Sequence, residues 1–274
     1  SQFVILITDF DRDYRTSPMV LAARQNNIPS ITLVHGILNP PFAYVPVLAD
    51  QIWCWGRFQK KQLIAFGVPE EKIQVVGNPI AKYYDLKNSV RNSDQNICIG
   101  IGLNPMSKEE NLLFLNSFRY NDLSYRFNWI IKLHPSMKKT EWMEGMVADN
   151  FLFFETEDLQ LEDFFNRIDL LIVSNSGLGY EAIVNNIPVW VYRVEEGQDG
   201  HDGVMIELGR CPDIRDGESL KREMDVLLNN KNEYLRSLIE SERIFVQDQF
   251  YEAIGEEASQ IIFERINEIL KYVE

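Results

Sequence analysis

The chain has 274 residues, which suits one large domain or two ordinary ones and allows a sizeable buried core. Its 45% hydrophobic and 25% charged residues are typical of a soluble globular protein. A net charge of −14 excludes the basic surface that nucleic-acid binding requires, so we expect no nucleic-acid partner. An anionic small molecule is still compatible with this charge, because helix N-termini and a few cations act on it locally.

The cysteines and the hydropathy pattern point to a reducing compartment. Cys54, Cys98 and Cys211 share no metal-ligand spacing and predict free thiols. No stretch is long and apolar enough to span a bilayer, and no basic segment precedes a signal core. We therefore predict a cytoplasmic protein and leave open a peripheral association with the inner face of the membrane.

Residues 1–88 alternate apolar runs with helical patterns and are predicted to form a first domain. Strands are expected within "QFVILITDF", "IPSITLVHG", "DQIWCWG" and "KIQVVGNP", and helices within "SPMVLAARQNN" and "RFQKKQLIAFG". The second helix is predicted to end at Gly67, because glycine favours the turn that follows a helix. Residues 80–95 are polar and weakly periodic, which indicates a linker.

Residues 93–245 repeat the alternation and are predicted to form a second domain. Strands are expected within "NICIGIGL", "FNWIIKLHP", "FLFFE", "DLLIVSNS" and "IPVWVYR", and helices within "SKEENLLFLNSF", "EWMEGMVAD", "LQLEDFFNRI" and "GLGYEAIVNN". Strands that are apolar throughout indicate parallel sheets covered on both faces. Residues 246–274 end in an amphipathic helix that we expect to pack back on the first domain. The predicted fold class is α/β, with two Rossmann-like doubly wound parallel-sheet domains.

Two of the three histidines follow predicted strands, His35 in the first domain and His134 in the second. Ligands of parallel α/β sheets bind at the carboxyl ends of the strands, which predicts a cleft between two such domains. Lys132 and Ser136 flank His134 in "IIKLHPS" and favour an anion site over a histidine that only satisfies the strand end. For His35 the alternative is a hydrogen bond to a neighbouring loop.

The stretch "IVSNSGLGYEA" places small polar residues, 174–176, between a predicted strand and a helix that opens with Gly177. Small residues and free amides at a helix start bind phosphate, and Glu181 in the early turns is a natural acceptor for ribose hydroxyls. An ordinary helix cap explains the same serine and asparagine, so both interpretations stay open. The spacing matches neither a dinucleotide fingerprint nor a P-loop.

The stretch "TDFDRDYR" carries Asp9, Asp11 and Asp13 at the end of the first predicted strand. A solvated loop is our interpretation for most of these carboxylates, and their spacing matches no calcium loop. The glycine-rich residues 195–203, around His201, form a candidate lid over the predicted cleft.

Four short motifs, "LVHG", "VVGNP", "KLHP" and "SNSGLGYEA…NNIPVWVY", occur in this order between His35 and Tyr192. Together they resemble the GT-B glycosyltransferase superfamily. The likeness is strongest to bacterial surface-polysaccharide enzymes, namely CDP-glycerol glycerophosphotransferases and the sialyl- and Kdo-transferases that use CMP-sugars. These families carry a Lys-x-His-Pro element followed by a serine-bearing turn, as residues 132–135 and 174–176 do here.

The resemblance implies a GT-B fold and a nucleotide-activated donor, linked to CMP, CDP or UDP, that is bound as a substrate without a metal or other cofactor. A full GT-B first domain has more strands than the four expected before Pro79. The resemblance therefore implies that the first domain is truncated, or that another segment or subunit completes it. The residues expected to bind the nucleotide are Lys132, His134, Ser174, Asn175, Ser176, Gly177 and Glu181.

The same resemblance implies a general base in the first domain. His35 is the expected base that deprotonates an acceptor hydroxyl, with Asp9 and Asp11 as rivals for this role. The expected function is transfer of a sugar or polyol phosphate to a glycan or lipid-linked acceptor in surface polysaccharide biosynthesis. Two alternatives stay open: a non-hydrolysing UDP-sugar 2-epimerase, which shares the fold and a similar Ser-Gly-Glu-Ala turn, and a non-catalytic nucleotide-binding relic.

Overall fold

A computed structural model describes most of the chain. The chain divides into two compact units. The first unit is Ser1–Tyr83 with Phe245–Glu274, and the second is Tyr84–Ile244. The helix predicted within residues 141–149 and the candidate lid around His201 lie outside the described residues. The described residues are 4–36, 38, 44–86, 97–103, 108–138, 151–174, 176–192, 211–246 and 251–271.

The first unit contains a parallel sheet that has four strands within the described ranges. Neighbouring strands pair in chain order, so the sheet order is β1-β2-β3-β4. Thr8 lies beside Thr32, and Cys54 lies beside Val75. The strands are β1 Leu6–Thr8, β2 Ser30–Leu33, β3 Gln51–Cys54 and β4 Ile73–Val75.

The second unit contains a parallel sheet that has six strands within the described part of the chain. Its order is β10-β9-β8-β5-β6-β7, so the chain adds strands first on one side of β5 and then on the other. The sequence pattern did not predict β10, because two residues are too short to show an alternation. The strands are β5 Ile97–Gly102, β6 Phe127–Lys132, β7 Phe151–Phe154, β8 Leu170–Val173, β9 Val189–Tyr192 and β10 Asp213–Ile214.

Helices follow the strands in both units. Two short 3₁₀ turns, Glu70–Lys72 and Ser124–Arg126, lead into β4 and β6. The α-helices of the described residues are α1 Thr16–Gln25, α2 Arg57–Ala65, α3 Lys108–Arg119, α4 Leu161–Phe165, α5 Gly177–Val184, α6 Gly217–Asn229, α7 Lys231–Phe245 and α8 Glu256–Leu270.

The sheet of the first unit has an apolar cluster on each face. One cluster contains Ile52, Cys54 and Leu63, the last of them from α2. The other contains Ile31, Trp53 and Val76, against which α8 packs through its isoleucines. Both faces of the sheet are therefore covered, as its apolar strands require. The α8 residues that pack there are Ile261, Ile262, Ile266 and Ile269.

The segment before α8 is joined to the end of the first sheet by backbone contacts. The Asn78 amide donates to the Ala253 carbonyl at 2.8 Å, and the Gly255 amide donates to the Asn78 carbonyl at 2.9 Å. Gly77 has φ +85°, and a Cβ at this residue would lie 2.4 Å from the Ala253 carbonyl oxygen. Glycine is required at residue 77 for both reasons.

Glycines in β5 let two helices approach the second sheet closely. A Cβ on Gly100 would lie 2.8 Å from the Phe164 ring, and a Cβ on Gly102 would lie 2.7 Å from Leu178. Both distances are too short for real contacts, so larger residues would push α4 and α5 off the sheet. The glycines of β5 thus allow α4 and α5 to pack closely on the sheet.

Candidate functional site

The strand order of the second unit locates a candidate ligand site. Strands β6 and β7 lie on one side of β5, and strands β8, β9 and β10 lie on the other. All strands are parallel, but the order in which the chain adds them changes side between β5 and β8. Ligands of such sheets bind outside the carboxyl ends of the strands at this switch point. Helix α5 follows β8 directly, so its first turn stands at the expected place.

The first turn of α5 has a side-chain cap at Ser176 and open space beside Gly177. The Ser176 hydroxyl accepts a hydrogen bond from the Leu178 amide at 3.3 Å, which caps the helix. A Cβ on Gly179 would lie 3.2 Å from Val173, so this glycine serves the packing of the helix on β8. A Cβ on Gly177 would have nothing within 4 Å, so packing does not require this glycine. The space beside Gly177 suits an anion at the positive end of the helix.

His134 presents a hydrogen-bond donor. Its Nδ1 lies 3.2 Å from the Ser136 amide, which donates to it, and 2.8 Å from the Ser136 hydroxyl. A backbone amide can only donate, so Nδ1 is unprotonated and the ring proton lies on Nε2. Burial lowers the pKa of His134, which favours the same neutral form. His134 therefore offers an uncharged N–H group at the end of β6.

Lys132 is buried beneath this strand end. Its ammonium group donates to the Leu159 carbonyl, which holds the segment before α4. Burial lowers the pKa of Lys132. The structure thus gives Lys132 a contact inside the second unit, while a lysine ammonium keeps two further donors.

Glu181 lies on the same face of α5 as Gly177, since residues four apart share a helix face. Its carboxylate accepts a hydrogen bond from the Tyr84 hydroxyl at 3.1 Å. Burial and the adjacent Glu181 carboxylate raise the pKa of Tyr84 to about 12. Sequence patterns did not identify Tyr84, which stands in the predicted linker and meets Glu181 across 97 residues of chain.

Two other residues of the predicted turn, Ser174 and Asn175, precede Ser176 in the chain. Ser174 is partly exposed at the end of β8, and Asn175 lies outside the described residues. The structure therefore brings Ser174, Ser176, Gly177 and Glu181 together along the β8–α5 connection.

In the first unit, the His35 ring is protonated on the other nitrogen than His134. Its Nδ1 lies 2.9 Å from the Asp9 carbonyl oxygen and 3.0 Å from the Tyr44 hydroxyl. A carbonyl can only accept, so Nδ1 carries the proton and Nε2 is the unprotonated nitrogen of the neutral ring. The Tyr44 hydroxyl also accepts from the His35 amide at 3.3 Å, and burial raises the pKa of Tyr44 to about 12. Because His35 is exposed, its free nitrogen can act as a base.

The acidic loop after β1 separates into residues with different surroundings. Asp9 is exposed, and its carbonyl holds His35 as described above. Asp11 is fully buried, and its carboxylate accepts from the amides of Leu48 at 2.7 Å and Ala49 at 2.9 Å. Asp13 accepts from the Thr16 hydroxyl and amide at the start of α1, and these bonds lower its pKa. Only Asp9 stands with His35.

No group of three His, Cys, Asp or Glu side chains among the described residues can hold a metal ion. No helix in the described ranges is long and apolar enough to cross a membrane. The three cysteines are free thiols.

No family model matches the chain, and no curated protein matches it by sequence. Solved structures match it well. The S. aureus MnaA–UDP complex has a TM-score of 0.62 and 18% identity, covering 97% of this chain and 75% of that chain. The Methanocaldococcus jannaschii UDP-GlcNAc 2-epimerase, in complex with UDP-GlcNAc and UDP, has a TM-score of 0.62 and 17% identity, covering 98% and 76%. The Neisseria meningitidis UDP-GlcNAc 2-epimerase bound to UDP-GlcNAc has a TM-score of 0.58 and 14% identity, covering 96% and 76%.

These neighbours confirm the predicted fold class: two Rossmann-like parallel-sheet units of GT-B type. The specific likeness to CDP-glycerol and CMP-sugar transferases finds no support among them. The prediction of a glycosyltransferase or polyol-phosphate transferase is wrong, because the neighbours of this fold include several UDP-GlcNAc 2-epimerases and these are not transferases. The error has a physical reason: strand-end and helix-start motifs bind nucleotide phosphates whatever reaction follows.

Proposed function

We propose that the chain is a non-hydrolysing UDP-sugar 2-epimerase, whose substrate is a UDP-linked 2-acetamido sugar. The observation that carries the nucleotide site is the face of α5 that presents an open Gly177 at the anion-binding end and the Glu181 carboxylate one turn later. The epimerase class rests on the likeness of the fold to solved UDP-GlcNAc 2-epimerases. Support comes from neighbours of this fold in complex with UDP or UDP-GlcNAc. The glycan or lipid-linked acceptor of the earlier prediction has no role in an epimerase.

The diphosphate is assigned to the start of α5 and the end of β6. Residues Ser174, Asn175, Ser176 and Gly177 supply hydroxyls and helix-terminal amides, which are favourable for anions. His134 adds its Nε2–H group, an uncharged donor that follows from the contact of Nδ1 with the Ser136 amide. Lys132 contributes positive charge beneath the strand end, where its amine also holds Leu159. No metal is needed in this arrangement, because donors and the helix dipole balance the charge of the bound diphosphate.

The ribose is assigned to Glu181. From Gly177 to Glu181 the helix rises about 6 Å, so a carboxylate acceptor stands one turn from the anion-binding end. A nucleotide whose diphosphate lies at the helix start therefore brings its ribose hydroxyls to this carboxylate. Two hydroxyls suit a carboxylate, which accepts about four hydrogen bonds.

Proton transfer is assigned to His35, with Asp9 and Asp11 as rivals. Inversion at C2 of the sugar breaks one C–H bond and forms another on the opposite face, so the reaction needs a base and an acid. His35 exchanges its proton at Nε2 because Nδ1–H is bound to the Asp9 carbonyl. Asp9 is exposed beside it, whereas the Asp11 carboxylate accepts two backbone amides, which makes Asp11 the weakest of the three.

Incubation of the protein with UDP-N-acetylglucosamine, followed by proton NMR, tests the proposal. We expect a second anomeric signal from the 2-epimer, without release of free sugar. Calorimetry with UDP in parallel separates binding from turnover. UDP binding with no epimer formed from a panel of UDP-sugars would instead select the non-catalytic alternative, and the absence of UDP binding would overturn both.

A further inference from the structure

We propose that Tyr84 is a positioning residue for the nucleotide ribose, because its hydroxyl orients the Glu181 carboxylate on α5. This inference rests on the proposed function and adds a residue that no sequence motif indicated. The hydroxyl donates to Glu181 Oε1 at 3.1 Å, and both residues belong to the second unit.

The backbone of Tyr84 is attached to the same helix. Its amide donates to Asn185 Oδ1 at 2.7 Å, and Asn185 Nδ2 donates to the Glu181 carbonyl at 2.8 Å. Asn185 is only 7% exposed, so this amide side chain is held inside the unit. Glu181 lies on α5, Asn185 caps the C-terminal end of the same helix four residues later, and Tyr84 contacts both. The tyrosine therefore has a main-chain attachment that is independent of its hydroxyl.

The ring of Tyr84 rests on a rigid neighbour. Its edge contact with Phe165 has a centroid separation of 5.9 Å, and Phe165 is 1% exposed in the core. A ring packed in this way keeps its side-chain torsions, so the hydroxyl stays at one point beside α5. The phenol also stays protonated, since its pKa is raised to about 12 by burial and by Glu181. Tyr84 is thus a permanent donor at neutral pH.

The chemical consequence concerns the cost of ribose binding. A glutamate side chain has three rotatable bonds, and fixing them on ligand binding costs free energy. A donor that already holds one carboxylate oxygen reduces this cost before the ligand arrives. The Tyr84 bond uses one of the about four hydrogen bonds that a carboxylate accepts.

The variant Tyr84→Phe tests the inference, because it keeps the ring and the backbone contact and removes only the donor. Calorimetry with UDP and with 2′,3′-dideoxy-UDP measures how strongly the protein prefers the ribose hydroxyls. We expect this preference to fall about three- to tenfold in the variant, the effect of one positioning hydrogen bond. Affinity for dideoxy-UDP should stay unchanged, whereas a merely structural defect would weaken both ligands equally.

Two further variants provide controls. Tyr83→Phe removes the hydroxyl of the preceding tyrosine, which is 66% exposed, and should leave the preference unchanged. In a Glu181→Ala background, Tyr84→Phe should have no additional effect on the preference, since the carboxylate that it orients is gone.

The outcomes separate this inference from the proposed function. A wild-type protein that binds UDP and prefers it over dideoxy-UDP supports the nucleotide site. With that preference intact, an unchanged ratio in Tyr84→Phe overturns the positioning role alone. A wild-type protein that does not bind UDP, or binds both nucleotides equally, overturns the ribose assignment and the role of Tyr84 together.

Discussion

His35 and His134 occupy equivalent places in the two units and have opposite hydrogen-bonding capacity. Each follows a strand of a parallel sheet, β2 for His35 and β6 for His134. The Nδ1 atom of His35 donates to a carbonyl, whereas the Nδ1 atom of His134 accepts from an amide. As a result, the outer nitrogen of His35 is an acceptor and that of His134 is a donor.

This difference shows that the role of a strand-end histidine is set by one backbone group. Asp9, at the end of β1, supplies the carbonyl for His35, and Ser136, in the turn after β6, supplies the amide for His134. A base needs the first arrangement, and an uncharged phosphate donor needs the second. The proposed division into proton transfer and diphosphate binding follows from these contacts.

The largest expected effect is on turnover in His35→Ala. Removing the base should reduce the rate of epimer formation about 10²- to 10⁴-fold, the usual contribution of general base catalysis. UDP affinity should be retained, because His35 is not assigned to the nucleotide. NMR rates and calorimetry on the same preparation check both statements. Loss of UDP affinity together with turnover would contradict the division of roles.

The second effect is on binding in His134→Ala. Loss of the Nε2–H donor should weaken UDP affinity about 10- to 100-fold, as expected for a hydrogen bond to a charged group. Affinity for uridine, which lacks the diphosphate, should change little. A variant that weakens UDP and uridine equally would show that His134 does not act on the phosphates.

A smaller effect is expected in a pH titration of His134, which tests whether its ring is neutral with the proton on Nε2. The pKa of His134 is lowered by burial, so its NMR titration midpoint should lie below the ordinary value of 6.5. Protonation also puts a hydrogen on Nδ1, opposite the Ser136 amide. The contribution of His134 to stability should therefore be constant above pH 6.5 and should be lost as pH falls through its folded-state pKa. A midpoint above 6.5 would contradict the neutral Nε2–H form.

The smallest effect is expected for Ser136→Ala. The variant removes the hydroxyl beside Nδ1 but keeps the amide, so the ring should keep its proton on Nε2. UDP affinity should change less than about threefold. Long-range proton–nitrogen NMR spectra at pH 8 report the tautomers directly, with Nδ1–H in His35 and Nε2–H in His134. The same tautomer in both histidines would remove the basis of the comparison.

Much of the fold was predictable because its signals are local. Apolar runs and helical spacing indicated the strands around Ile52 and Ile131 and the helix that begins at Gly177. The tautomers of His35 and His134 were not predictable, since they depend on which backbone group lies beside each ring. The contact of Tyr84 with Glu181 and the burial of Asp11 likewise arise from partners distant in the chain.

The reaction class was the larger failure, and its cause is the nature of the motifs. Residues 132–135 and 174–177 were expected to hold a nucleotide, a task that several reaction classes share. Chemistry at the sugar depends on other residues, and a strand-end base such as His35 is compatible with more than one reaction class.

The first unit is assembled from both ends of the chain, since Phe245–Glu274 belongs with Ser1–Tyr83. During synthesis, the sheet face of Ile31, Trp53 and Val76 emerges well before the isoleucines of α8 that cover it. A nascent chain therefore carries an uncovered apolar surface while the second unit is being translated. Cutting the gene at residue 83 would yield a fragment with the same defect, so dissection of this protein calls for a circular permutant that fuses α8 ahead of β1.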